Sequence, residues 1–202
     1  MATDAKSRDR AKTETTIVAA AREVLAREGF QGFGINAVAR AAGCDKQLIY
    51  RYFGGLEGLV DAIGADFATW LEDSLAPATP AATYGDLSER LILGFMDALR
   101  GSVLAQRIAA WEIADPSPLV ARLTAARGAT MMAWMARTRG DLAPPAGLDA
   151  PALNAFLIAA VQQLVLSSSA VGGFSGVPLK TQADWDRVRA TAVRIIRAVY
   201  GA

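Results

Sequence analysis

Apolar residues recur at helical spacing along almost the whole chain. Between Ile17 and Leu25 they fall three and four residues apart, and the pattern stops at Gly29, which is typical of a helix C-terminus. Thr13 is the predicted N-cap of this first helix. No stretch alternates with the period of a strand, so the sequence predicts an all-α protein. Further helices are expected over 57–76, 85–100, 102–114, 117–138, 150–171 and 183–200.

A different arrangement occupies residues 35–53. Two short helical patterns are separated by a tight turn at Gly43, and Asp45 stands where the second helix would begin. Val38 and Ile49 lie where the two helices would face each other. This spacing predicts a helix-turn-helix.

The outward face of the second short helix carries side chains that suit DNA recognition. Cationic and amide groups hydrogen-bond base edges, a leucine methyl touches thymine, and tyrosines and arginines contact phosphates. The two tyrosines of this face are also compatible with half-buried packing, an alternative that the motif alone leaves open. The candidate DNA-binding residues are Lys46, Gln47, Leu48, Tyr50, Arg51 and Tyr52.

Several short motifs follow one another through this region. They are Gly29-Phe30, Val38-Ala39, Ala42-Gly43 and Tyr50-Arg51-Tyr52-Phe53, followed by Glu57 and Leu59. Together they resemble the N-terminal signature of TetR-family transcriptional regulators over residues 13–60. The sequence departs from that signature at Gly34, where the family usually has Thr or Ser, and at Leu56, where it usually has lysine.

The resemblance implies an architecture and a function. Residues 13–60 would form the DNA-binding domain with its second short helix in the major groove of double-stranded DNA, and 61–202 an effector-binding and dimerisation domain. Members of this family mostly block promoters until a small molecule changes the spacing of their two recognition helices. Residues 1–12 are expected to form a flexible tail, and its basic residues act either as a solvated segment or as a DNA-contacting arm. Those residues are Lys6, Arg8, Arg10 and Lys12.

Composition narrows the chemistry that the chain can perform. It has no histidine and one cysteine, Cys44, so Ser-His-Asp triads, Cys-His pairs and histidine zinc sites are excluded within one chain. An enzyme that uses Asp/Glu acid–base pairs is a further alternative, but no carboxylate pair stands out in an apolar setting. We expect no catalytic residue, no metal, no cofactor and no enzymatic activity. Cys44 is interpreted as a small packing residue and not as a redox sensor. A polar N-terminus and the lack of an internal disulfide favour a cytoplasmic location.

The stretch from Ala150 to Leu179 carries no charge, so a membrane span has to be considered. Asn154, the pair Gln162-Gln163 and a run of three serines argue against it, because lipid offers these groups no partners. We expect no membrane association. The apolar faces of 150–171 and 183–200 predict a homodimer interface, with burial in the monomer core as the alternative.

The middle helices combine aromatic and methionine side chains with a few polar groups. Most are core residues by their spacing, but such a mixture also suits an effector pocket for a small apolar or aromatic molecule. A helical small-molecule carrier without specific DNA binding is the alternative function. The candidate ligand-binding residues are Phe95, Arg107, Trp111, Glu112, Trp134, Phe156, Gln162 and Gln163.

Overall fold

A computed structural model describes residues 2–77, 79–114 and 117–201, with side chains from residue 9 onward. The side chains of Lys6 and Arg8 from the expected tail lie outside the described residues. The all-α prediction is confirmed, since the described residues form α-helices and one small hairpin. The elements are α1 (Ala2–Gly32), α2 (Ile35–Ala42), α3 (Lys46–Phe53), α4 (Leu56–Leu75), α5 (Tyr84–Gly101), α6 (Val103–Ala114), α7 (Pro118–Arg139), α8 (Ala150–Val171), β1 (Gly173–Phe174), β2 (Val177–Pro178) and α9 (Gln182–Tyr200).

Helix α1 begins well before the predicted N-cap. Thr13 does not cap it, because its hydroxyl donates to the carbonyl of Asp9 inside the helix, at 2.8 Å. Arg10 and Glu14 form an ion pair one turn apart at 2.9 Å, which supports the helix through a polar segment without apolar periodicity. The predicted stop is visible as a kink at Gly29, whose φ of 69° interrupts the helical backbone. Residues 9–12, expected in the tail, are therefore helical.

The chain divides into two compact units, of which the first combines Met1–Trp70 with Arg107–Met131. It contains the predicted DNA-binding segment, most of α4, the end of α6 and the first half of α7. Burying each large apolar side chain stabilises the fold by about 1.5–3 kcal/mol. The fully buried side chains of this unit include Ile17, Val24, Leu25, Val38, Ile49, Leu59, Ile63, Ile108 and Leu123.

Ion pairs orient the helices of the first unit. Arg122 of α7 donates two hydrogen bonds to Asp61 of α4, at 2.6 and 2.7 Å, and a third to Glu57 at 3.0 Å. Arg22 of α1 donates to Asp66 of α4 at 2.7 Å. Exposed pairs of this kind contribute only about 0–1 kcal/mol each, so their main effect is to set which faces of α1 and α7 meet α4.

The second unit combines Leu71–Gln106 with Met132–Ala202, and in it α5 packs against α8 and α9. A hydrogen-bonded triad joins these three helices: Asn154 donates to the hydroxyl of Tyr84 at 3.1 Å, and Tyr200 donates to Asn154 at 2.8 Å. The two tyrosine rings lie 5.3 Å apart. The half-buried Asn154 inside the apolar stretch of α8 thus has hydrogen-bond partners for its amide.

The segment expected as a loop after α8 contains the β1–β2 hairpin. Its strands have two residues each, too few to show alternation in the sequence. The carbonyl of Leu179 accepts a hydrogen bond from Ser168 at 2.6 Å, which ties the hairpin exit to α8. Helix α9 then begins with the predicted capping box, in which Thr181 and Asp184 each satisfy a backbone amide of the other.

Among the described residues, α8 is the one helix long and apolar enough to cross a membrane by length and composition. This is weak support for a span. Asn154 is hydrogen-bonded to Tyr84 and Tyr200, and Gln163 donates to Ser167 at 2.9 Å, so these two polar side chains have protein partners. The helix packs on α5 through its buried positions, Ala150, Leu157, Val161 and Val165.

Candidate nucleic-acid interface

Helices α2 and α3 are joined by the turn that the sequence predicts. Gly43 has a left-handed φ of 62°, and its amide donates to the carbonyls of Ala39 and Arg40, which closes α2. Asp45 then caps α3, its carboxylate accepting from the amide of Gln47 at 2.8 Å. A cap and a left-handed glycine thus define the two helices of the motif.

The inner face of the motif is apolar. Val38 and Ile49 are fully buried, which confirms the predicted contact between α2 and α3. Cys44 is half-buried in the turn, and burial together with the nearby Asp45 raises the pKa of its thiol. A raised pKa keeps the thiol protonated and poorly reactive, in line with a packing residue.

The outer face of α3 presents most of the candidate residues to solvent. Lys46, Gln47 and Arg51 are exposed, and the ring of Tyr50 is 55% exposed. Leu48 is half-buried at the edge of the same face, so it offers less surface than its neighbours. The exposed set combines cationic, amide and phenol groups, which are the groups that read base edges and bind phosphates.

Tyr52 lies between two arginines. The guanidinium of Arg51 is 5.3 Å from the centroid of its ring, and that of Arg10 is 5.4 Å away. Such cation–π contacts are worth about 0.5–1 kcal/mol at exposed sites. Arg10 also pairs with Glu14, which raises the pKa of the guanidinium, so it remains charged.

Arg10 therefore belongs to the surface around α3, although the sequence places it in a flexible tail. The signal that could have revealed it is the spacing of Arg10 and Glu14, because opposite charges four residues apart are neighbours on a helix. Extending α1 backward by this pair brings the arginine beside Tyr52.

The joint between α3 and α4 depends on a glycine. A Cβ at Gly58, in the first turn of α4, would overlap the backbone carbonyl oxygen of Phe53 at the end of α3. Backbone cannot move away as a flexible side chain can. The absence of a side chain at Gly58 therefore allows α3 to approach α4 closely.

The two departures from the family signature remove a side-chain cap at Gly34 and a positive charge at Leu56. Gly34 precedes α2 with an extended backbone and forms no side-chain cap. Leu56 begins α4 and is half-buried, so it brings no charge to this surface.

The predicted effector residues are distributed over both units. Trp111 lies in the first unit, where its ring contacts Phe30 edge to face at a centroid distance of 5.2 Å and covers Gly29. Glu112 pairs with Arg127 at 2.7 Å and accepts a hydrogen bond from Thr124 at 2.9 Å. Both side chains thus have partners within the first unit.

The other six candidates vary in exposure. Arg107, in the first unit, is exposed. In the second unit Trp134 is buried, Phe95 and Gln162 are half-buried, and Gln163 is exposed. Phe156 is 76% exposed on α8. The sequence predicts one pocket for all eight residues, and that prediction stays open.

Known proteins resemble the chain both in part of its sequence and in its fold. Residues 17–63 match the family model of bacterial regulatory proteins of the tetR family. GusR of Salmonella enterica superposes with a TM-score of 0.63 at 17% identity, covering 95% of this chain and 96% of that one. A TetR family transcription regulator from Marinobacter aquaeolei VT8 gives 0.61 at 17%, covering 94% and 97%. The fatty acid degradation regulator FadR from Bacillus halodurans gives 0.62 at 14%, covering 91% and 93%.

The sequence similarity and the structural similarity cover different lengths of the chain. The family match covers the helix-turn-helix and its flanking helices, while the structural likeness extends over nearly the whole chain and, at such identities, concerns the fold. No curated protein sequence matches the chain.

Proposed function

We propose that the chain is a TetR-family transcriptional regulator that binds DNA, and that it is a homodimeric repressor released from a palindromic operator by a small apolar or aromatic molecule. The observation that carries the proposal is the exposed polar face of α3, held by a cap at Asp45 and a left-handed turn at Gly43. A helix presented in this way fits the major groove.

The residues of this face divide into two roles. Gln47 and Lys46 lie at the N-terminal end of α3, which in a helix-turn-helix contacts base edges. Arg51 follows one turn later, and Leu48 contributes a smaller apolar contact. Tyr50 and Tyr52 are assigned to phosphates. The proposed DNA-binding residues are therefore Lys46, Gln47, Leu48, Tyr50, Arg51 and Tyr52.

The proposed dimer uses α8 and α9. Five large apolar side chains on these helices are exposed in the single chain: Val171 at 78%, Phe156 at 76%, Ile195 at 46%, Ile158 at 43% and Val199 at 37%. Contiguous apolar surface of this kind marks an interaction face, and a two-fold dimer buries the same patch of both subunits. Burial there would also explain why so apolar a helix as α8 is mostly exposed in one copy.

The proposed effector is apolar or aromatic because the candidates in the second unit include Phe95 and Trp134. Phe156, exposed on α8, is assigned to the dimer face instead. Gln162 or Gln163 would orient the polar end of the effector. Trp111 and Glu112 are less suited to this role, because each already has packing or ion-pair partners in the first unit.

Selection of DNA duplexes from a random library by the full-length protein tests the proposal. We expect palindromic or near-palindromic sites with half-sites related by about one helical turn, roughly 34–36 Å. Affinity should fall steeply between 50 and 200 mM salt, by about 10³-fold or more if some six phosphates are contacted. Asymmetric sites, or affinity indifferent to salt, would favour the alternative of a ligand carrier without specific DNA binding.

A further inference from the structure

A cavity of about 230 Å³ lies within the second unit, away from α3 and its DNA-facing residues. The end of α5, the start of α6, the last turns of α8 and the beginning of α9 form its walls. None of the candidate effector residues lines it. Its principal lining residues are Arg100, Gln106, Ser168, Ser169, Lys180 and Trp185.

Two cations contribute to the wall. The guanidinium of Arg100 stacks over the ring of Trp185, 4.4 Å from its centroid, and donates one long hydrogen bond to Gln182 at 3.4 Å. The methylene stem of Lys180 passes against Gly172, and the residue is exposed. Among the described residues, neither cation forms an ion pair with a carboxylate.

The nearby acid does not neutralise them by an ion pair. Asp184 accepts from the backbone amides of Lys180 and Thr181, at 3.0 and 2.9 Å, and these bonds lower the pKa of its carboxyl. The amides of Lys180 and Thr181, just before α9, are thus already occupied. The positive charge at this cavity comes from the side chains of Arg100 and Lys180.

The polar wall is held in place by its own hydrogen bonds. Ser169 donates to the side-chain oxygen of Gln106 at 2.6 Å, and the amide nitrogen of Gln106 donates to the carbonyl of Leu99 at 2.9 Å. Ser168 is fixed to Leu179 at 2.6 Å. The wall is therefore preorganised, and a bound group loses little freedom of the protein.

We propose that this cavity binds a phosphate or carboxylate group of a small polar metabolite between Arg100 and Lys180. The planar guanidinium suits two parallel hydrogen bonds to an oxyanion, and the ammonium adds a point charge. The cavity is smaller than the roughly 300–1,000 Å³ usual for drug-sized ligands, which favours a small anion. This site lies beyond the proposed apolar effector and does not depend on it.

Thermal unfolding of the full-length protein tests the site without DNA. Inorganic phosphate is titrated against chloride at constant ionic strength, and malonate is titrated in parallel, so that the two arms distinguish phosphate from carboxylate recognition. We expect a saturable rise in Tm with at least one anion, because a ligand that binds the folded state stabilises it by mass action.

Three variants determine where the anion binds. Arg100→Gln and Lys180→Gln should each weaken binding about tenfold or more, as expected for loss of a charge-assisted hydrogen bond. Arg139→Gln removes one charge from the exposed last turn of α7 and should leave the affinity unchanged. Lys180→Gln alters an exposed side chain, so it remains informative if Arg100→Gln lowers stability by losing its stack on Trp185.

Two results would overturn the proposal. One is a rise in Tm that never saturates and is equal in wild type and both cavity variants, because excluded salts stabilise any protein in that way. The other is saturable binding that both cavity variants retain, because the anion would then bind elsewhere. Neither result bears on operator binding, so the repressor proposal stands or falls separately.

Discussion

Individual side chains determine what α3 can do on DNA. Tyr52 is fixed between Arg10 and Arg51, so its ring has a set orientation at the edge of the recognition surface. Gln47, by contrast, projects from the exposed N-terminal end of α3, where its backbone is held by Asp45 and its side chain extends into solvent. These two environments suit different tasks, backbone positioning for the tyrosines and base reading for the glutamine.

Two substitutions on α3 should separate these tasks. Gln47→Ala is expected to cost about 1–3 kcal/mol on the selected operator and to relax preference at one base position. Tyr50→Phe should weaken binding to all sequences by a similar factor, because a lost phosphate contact carries no base information. Fluorescence anisotropy on operator and scrambled duplexes measures both.

The control for this pair is Gln31→Ala, which removes an exposed amide from the end of α1 outside the motif. It should leave both affinities unchanged. If the two α3 substitutions lowered specific and nonspecific affinity equally, the assignment of base-facing and phosphate-facing residues would be wrong.

The sequence predicts least well which side chains contact one another. Helical spacing places Trp111 and Glu112 on α6, but nothing local indicates that the indole meets Phe30 or that the carboxylate meets Arg127. Those contacts depend on how distant segments pack. The same holds for Asn154, whose polarity within α8 is evident from sequence while its tyrosine partners are not.

At the scale of elements, prediction succeeds where end signals are strong. Helix α8 has the predicted bounds, with Asp149 as its cap and a left-handed Gly172 at its end. The start of α1 was wrong because its polar first turns lack apolar spacing, and the ion pair of Arg10 and Glu14 supports the helix there instead. Periodicity detects buried faces, so a solvated helical extension leaves little trace.

The capping box of α9 makes an acid-dependent contribution to stability. Hydrogen bonds from the Thr181 and Lys180 amides lower the pKa of Asp184 below its unfolded value. A lowered pKa in the folded state means that this contribution is present above the unfolded pKa, about 3.9, and is lost as pH falls through the folded pKa. Asp184→Asn should therefore lower Tm at pH 7 and have a smaller effect on Tm at pH values below the folded pKa.

Circular dichroism melts from pH 7 to pH 2.5 check this dependence. Asp141→Asn, at an exposed position in the turn after α7, is the matched control and should follow the wild-type curve. A constant difference in Tm between wild type and Asp184→Asn at every pH would show that the ionised carboxylate is not the source of the stabilisation.

At the scale of the whole molecule, the exposed apolar residues of α8 and α9 predict the oligomeric state. Phe156→Glu and Ile195→Glu should yield folded monomers that no longer bind the operator, because burying an unpaired carboxylate in an interface is unfavourable by several kcal/mol. Sedimentation velocity gives the mass and circular dichroism confirms folding.

Val103→Glu serves as the control for these charges. Val103 is 63% exposed in the first turn of α6, where an acid is well tolerated, so the variant should stay dimeric. Dimers formed by both Phe156→Glu and Ile195→Glu would place the interface elsewhere.

The response to an effector is a property of the whole molecule, because release from DNA requires a ligand that prefers one state of the dimer. A screen of aromatic compounds should yield inducers that both quench tryptophan emission and release operator DNA, with affinity weakened reciprocally when DNA is present. Phe95→Ala should weaken such an inducer by about 1.5–3 kcal/mol, the value of one buried phenyl group.

Phe174→Ala is the matched control, since its ring is an exposed aromatic on the hairpin in the same unit. It should leave inducer affinity intact. Release of DNA by metal ions or highly charged metabolites alone, with Phe95→Ala unaffected, would remove the apolar pocket from the mechanism.

The close approach at Gly58 has a genetic consequence. Every missense change at this codon adds a Cβ where the carbonyl of Phe53 already stands, so no replacement preserves the joint between α3 and α4. Alleles altered at this codon should lose repression although the residues that contact DNA are intact. In a heterozygous cell their subunits would still pair through α8 and α9 with normal ones, and such alleles would be dominant over the wild type.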